Sequence, residues 1–170
     1  MEKNFFQVGE ELTYDLYLKY GLLDTKAGIS TLKTSSENYN NIDAYKMTMT
    51  AKSVGMINTV FTLADTISCY MTKDLMALAY MINTHEGNQH SKELTTYEYS
   101  PGTITFKAKL ICNDILRFDE KFTSVQSYLY DMISILFYIL TLNYSKMKNG
   151  DITITSGRKI FLPTIFIISS

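Results

Sequence analysis

The stretch Phe6-Gln-Val-Gly-Glu-Glu-Leu-Thr-Tyr-Asp-Leu-Tyr-Leu-Lys-Tyr-Gly-Leu22, leading into Ala27-Gly-Ile-Ser-Thr-Leu32, decides the fold class. Leu12, Tyr14, Leu16 and Leu18 recur at every second position, with Thr13, Asp15, Tyr17 and Lys19 between them. Successive side chains of a strand point to opposite faces, so this period of two reads as a strand with one face against a core. Gly21 and Gly28 punctuate the turn and the strand that follows, where a missing Cβ permits a bend or a close backbone approach. The stretch holds no catalytic constellation. It speaks to architecture and leaves activity open.

Outward from it, the same alternation returns. Tyr45, Met47, Met49 and Ala51 oppose Lys46, Thr48, Thr50 and Lys52. A polar turn is expected over Ser35 to Asn41, and a short helix or an irregular connection from Gly55 to Leu63. Asp65 to Met71 and Leu75 to Ile82 read as strands, followed by a polar loop from His85 to His90. Lys92 to Tyr99 and Thr103 to Ile111 flank Ser100-Pro101-Gly102. There Pro presets a negative φ and Gly accepts the positive φ of a type II turn. Leu116 to Phe122 is expected to pair with the second arm.

The pattern then changes. Ser127 to Leu142 has no Gly, no Pro and one charge, Asp131. Tyr128, Met132, Ile135, Leu136, Ile139 and Leu142 form one stripe at helical spacing, and Leu129, Ile133, Phe137 and Leu140 nearly complete the circle. A helix this apolar must be buried over most of its surface. Ser127 is placed to cap it, with Asp131 in the first turn, where the helix dipole favours an anion. A helix of this length spans roughly 24 Å. The expected fold is therefore mainly β with one long helix: a strongly curved antiparallel sheet, or half-barrel, packed around a buried helix over about residues 127–142. Asp151 to Thr155 reads as a further strand. Lys159 to Ser170 carries apolar runs without alternation, and Pro163 restricts it to an edge strand or to no strand.

Composition narrows the function classes. At 170 residues the chain fits one domain, 1–170, with 156–170 an atypical tail. A hydrophobic content of 46% fits a globular chain. A formal charge of -1 gives no basic footprint for nucleic acid. The thirteen tyrosines suit pleated surfaces. The apolar run from Met132 to Leu142 is far shorter than the roughly 20 residues that span a bilayer, and no basic-then-apolar leader is visible at the start. Cys69 and Cys112 can pair in an oxidising compartment or stay as free, partly buried thiols. Without a CxxC pair they do not form a structural zinc set.

Several short motifs in order resemble an exported bacterial family catalogued as domain of unknown function 3108. They are Phe6, Val8, Gly9, Glu10, Leu12 and Tyr14; then Gly21 and Ala27-Gly28; Asp65; Glu86-Gly87; and Asp131, Ser134, Phe137 and Tyr138. The resemblance spans about residues 5 to 151. It implies a mostly β envelope or periplasmic protein with one prominent helix and no assigned activity. The chain departs from that pattern at Leu140, where an arginine is frequent, and after Gly150, where further strands usually follow. A truncated or frame-altered C-terminus is the expectation.

No phosphate loop, dinucleotide fingerprint or serine elbow is present, so neither cofactor nor catalytic residues are assigned. His85, Glu86 and His90 lack the helical His-Glu-x-x-His spacing and read as a solvated loop. Asp114, Asp119 and Glu120 read as surface charge. Glu10 and Asp131, set among apolar residues, read as acceptors for backbone amides, Glu10 bracing the first turn and Asp131 the helix start. Gly9, Glu10, Tyr14, Gly28, Asp131 and Ser134 are the structural motif. The remaining functional feature is a methionine-rich apolar surface, with Met47, Met49, Met132, Leu136 and Ile139 as the candidate lining for an adaptable apolar ligand. Two readings compete: a non-enzymatic envelope protein sheltering a lipid-like ligand between sheet and helix, and a structural or protein-interaction module with a fully packed core. An enzyme is the least favoured reading.

Overall fold

A computed structural model describes residues 7–125, 129–142, 153–157 and 165–169. Eight strands follow one another as an antiparallel meander: β1 (Glu11–Tyr20), β2 (Leu23–Tyr39), β3 (Ile42–Ser53), β4 (Ala64–Thr72), β5 (Ala77–Glu86), β6 (Gln89–Ser100), β7 (Thr103–Cys112) and β8 (Ile115–Ser124). A short helix, α1 (Gly55–Val60), bridges β3 and β4. β1 and β8 are the two edges of this sheet, which does not close. After it come β9 (Leu129–Tyr130), α2 (Met132–Thr141), β10 (Thr153–Gly157) and β11 (Ile165–Ser169), with the three short strands paired in the order β10-β11-β9.

Local chemistry explains the hairpins. Asn40 and Asn41 both lie at positive φ (48° and 66°), as do Asn113 and Asp114 (47° and 62°). Two-residue turns of that kind match the twist of the strands they join, and Asn and Asp adopt them at low cost. The polar turn expected over Ser35 to Asn41 therefore shrinks to Asn40–Asn41, because Ser35 to Tyr39 pair with Ile42 to Lys46. The loop expected at His85 to His90 is also mostly strand. His85 pairs with His90 across the end of the β5–β6 hairpin, with ring centroids 3.6 Å apart, and Gly87 makes the turn at φ +58°. Pro101-Gly102 turns as its residues dictate, with Gly102 at φ +75°. β5 begins at Ala77; Leu75, expected to open it, sits in the preceding turn at φ +63° with its side chain against the core.

Gly28 is required by space. A Cβ there would lie 2.7 Å from the Lys52 carbonyl oxygen and 3.4 Å from Leu16 Cδ1. Ala27, next to it, is the extra residue where the β1–β2 register shifts.

Register places one row of residues across seven strands on a single face: Thr34, Met47, Cys69, Tyr80, Thr95, Ala108 and Glu120. This inner face carries the core. Met47, Cys69, Met71, Ala77, Tyr80, Tyr97, Ile104 and Phe106 form one buried cluster, and Leu129, Ile133 and Phe137 join it. α2 thus contributes Ile133 and Phe137 to the sheet's own core.

Three expectations about this region need correcting. α2 has ten residues and starts at Met132, because Leu129–Tyr130 pairs with β11 as a strand. Its cap is Asp131; Ser127 lies outside the described residues. On α2, Ile133, Ile135 and Phe137 are buried, whereas Leu136 and Leu140 are 47% and 44% exposed. In the tail, β11 pairs on both sides although Pro163 precedes it. Proline removes only its own N–H, and Pro163 lies outside the described residues. Cys69 and Cys112 are both free thiols.

Candidate functional site

The site builds upward from β6. Its inward side chains are Ser91, Glu93, Thr95, Tyr97 and Tyr99, opposed on β7 by Cys112, Leu110, Ala108, Phe106 and Ile104. Polar groups thus run along the middle of an apolar face. Tyr99 donates its hydroxyl to the Ala77 carbonyl at 2.9 Å. Glu93 Oε1, Thr95 Oγ1 and Tyr97 Oη are each buried without a hydrogen-bond partner among the described residues. Thr95 is fully buried and Tyr97 nearly so. A buried polar atom left unpaired costs about 1–3 kcal/mol, so this seam is the least comfortable part of the core.

Asp131 approaches the seam from the start of α2. Its Oδ1 accepts the Ile133 N–H at 2.8 Å and the Ser134 N–H at 2.9 Å, while the Ser134 hydroxyl oxygen accepts the Asp131 N–H at 2.9 Å. This is a reciprocal capping box, and it satisfies donors that the helix start would otherwise leave open. The second oxygen, Oδ2, is buried without a partner. Burial pushes the Asp131 carboxyl up to about 6, against the opposing pull of the Ser134 and Ile133 donors. Burial also raises Glu93, and burial followed by the nearby Asp131 charge raises Cys69, Tyr80, Tyr97 and Tyr99. Each of these acids therefore holds its proton more tightly than it would in water. Because burial is the largest cause in every case, the shifts mark a polar seam in a core.

The residues singled out in the sequence fall in different places. Met47 is in the buried cluster, and Met49 and Met132 pack against it. Leu136 is half exposed and Ile139 intermediate. Gly9 turns at φ +90°, and Glu10 accepts the Gln7 N–H at 3.3 Å, bracing the turn before β1. Tyr14 is 51% exposed. Asp131 and Ser134 act together as the cap. Asp119 pairs with Lys107 at 3.4 Å on the outer face, while Glu120, its neighbour, points inward, so the two cannot converge. Among the described residues, no three His, Cys, Asp or Glu side chains gather as metal ligands.

Sequence reasoning missed Glu93, Thr95 and Tyr97. The available signal was that Ser91, Glu93 and Thr95 put polar residues on the face that Tyr97 and Tyr99 share.

Two depressions lie beside the seam. One of about 380 Å³ opens on the outer face among Met81, Leu94, Ile111, Lys92 and Lys109. The other, about 510 Å³, lies at the His90 end of the sheet among Ser91, Leu110, Cys112 and Arg117.

Residues 13–166 match the family described as protein of unknown function (DUF3108). The chain belongs to this family. In the DUF3108 match, the region begins inside β1, beyond Phe6 to Leu12, and runs on past residue 151 into β11. Among curated proteins and among solved structures, nothing matches the chain. Among the described residues no helix is long and apolar enough to cross a membrane.

Proposed function

We propose that this DUF3108 protein is a non-enzymatic component of the bacterial cell envelope whose sheet curves around α2 as a half-barrel and shelters a lipid-like apolar ligand. One observation carries the reading. The apolar inner face extends beyond the cluster that Ile133 and Phe137 join. It passes through the partly buried Leu32 and Met49 to Leu12, Tyr14 and Leu16, which are 40%, 51% and 41% exposed. A continuous face of this kind, buried at one end and open at the other, suits an acyl chain, and methionine adapts to varied chain shapes. The envelope location rests on the exported character that the family resemblance implies.

Native mass spectrometry after mild purification tests it, together with displacement of 1-anilinonaphthalene-8-sulfonate by palmitate. A bound mass and displacement that Met49→Asp weakens are expected. A clean protein mass with no displacement overturns the proposal. A second reading, a structural or interaction module with a packed core, is favoured by Met47, Cys69 and Met71, all at 0% exposure.

A further inference from the structure

We infer that β1 is a self-pairing edge, through which two copies of the chain join antiparallel into one continuous sheet. The inference is independent of any ligand.

The two edges of the sheet differ in how they are protected. β8 carries Arg117, Asp119, Glu120 and Lys121 close together, with Glu120 on the inner face opposite Ala108. Charges in that position blunt an edge against further pairing. β1 has no proline, and all ten of its residues are exposed. Its inner face, Leu12, Tyr14, Leu16 and Leu18, carries no charge. Glu11, Asp15 and Lys19 alternate with them, at the positions whose partners on β2 are Lys33, Ile29 and Asp24. A long, exposed edge with an apolar face is a template for another strand.

The pattern on β1 selects a second copy of itself as that strand. If Asp15 faces Asp15 of the copy across a two-fold axis, Glu11 meets the copy's Lys19, and the symmetry produces this pair twice. On the inner face, Leu12 then meets Leu18 and Tyr14 meets Leu16, so the apolar ladder runs on uninterrupted from one copy to the other. Directly opposed pairs share a face and sit close enough to interact. The two Asp15 carboxylates do not stand as bare like charges, because Lys26 lies 2.7 Å from Asp15 in each chain. A two-fold contact closes at two copies, whereas a β1-to-β8 contact would propagate.

The test uses the full chain, by sedimentation and native mass spectrometry over a range reaching tens of micromolar. A dimer that does not grow further is expected. Glu11→Lys and Lys19→Glu, each alone, place like charges opposite one another twice and should weaken the dimer by roughly tenfold or more. Mixing the two variants restores both opposite-charge pairs, so a heterodimer of mixed mass should reappear. The intrachain contacts of Glu11 with Lys33 and of Lys19 with Asp24 are not repaired by mixing, which separates pairing between copies from damage within one. Asp15→Cys supplies a readout without charge reversal: it should crosslink to its own copy under mild oxidation, whereas Tyr17→Cys should not. A chain that stays monomeric, assemblies that grow beyond two, or a mixture that yields no heterodimer overturns the inference.

Discussion

β1 and β3 carry the same written pattern and meet different fates. In β3, Tyr45, Met47 and Met49 alternate with polar residues, and Met47 ends at 0% exposure within the core cluster. In β1, Leu12, Tyr14, Leu16 and Leu18 alternate as cleanly and remain 40–51% exposed. Both patterns correctly report which side chains share a face. What differs is the neighbourhood. β3 lies between β2 and β4 in the part of the sheet that Leu129, Ile133 and Phe137 cover, whereas β1 is the edge. Alternation is a property of the strand, and burial belongs to whatever lies on top of it.

The largest effect that would break this contrast comes from the covered end. Phe137→Ala removes a side chain at 2% exposure and should cost about 3–5 kcal/mol in urea unfolding. A loss below about 1 kcal/mol would mean that α2 adds little to the core and that the two regions are not distinct.

Next comes the pH dependence of the same region. The folded-state pKa of Asp131, about 6, lies above the ordinary carboxylate value near 3.9. The folded state therefore binds the proton more tightly than the unfolded chain does. The resulting stabilisation is fully present below about pH 4 and is lost as pH rises through about 6, a fall on the order of 2–3 kcal/mol. Glu93, raised by burial, acts with the same sign. Asp131→Asn keeps an oxygen that can cap the helix but removes the titrating charge. The wild-type stability minus that of the variant, measured from pH 4 to 7.5, should thus fall with pH. A flat difference would remove Asp131 as the source.

The smallest effect sharpens the other side of the comparison. Leu16→Ala, in dilute monomeric protein, should cost less than about 1 kcal/mol, as expected of a half-exposed side chain. A loss as large as that of Phe137→Ala would show that the β1 face is covered in solution.

Much of the meander was legible. Strand positions, the Pro101-Gly102 turn, the β7–β8 pairing and the role of Asp131 as a helix-start acceptor all follow from residues within a few positions of one another. Hairpin ends were read too loosely, because Ser, Asn and His near a turn look like loop until cross-strand pairing recruits them, as it does at Ser35 to Tyr39 and at His85 and His90. Among the described residues the expected helix is four residues too long, at Leu129, Tyr130, Asp131 and Leu142, since Leu129 and Tyr130 satisfy a helical stripe and a strand equally well. The polar seam stayed hidden for a different reason. Glu93, Thr95 and Tyr97 look like ordinary residues of an exposed, tyrosine-bearing strand until folding buries their polar atoms and brings the Asp131 charge, more than thirty positions away in the chain, near Tyr97.

The amino-acid order alone determined the short-range geometry: which residues turn, which share a face, and that Asp131 and Ser134 close the start of α2. Such features depend on backbone sterics and on hydrogen bonds that reach only three or four residues. Tertiary structure decided which apolar face is covered, which edge is bare, and that the oxygens of Thr95, Tyr97 and Asp131 are each out of water. Removal from solvent is a joint property of elements distant in the chain, and no local pattern encodes it.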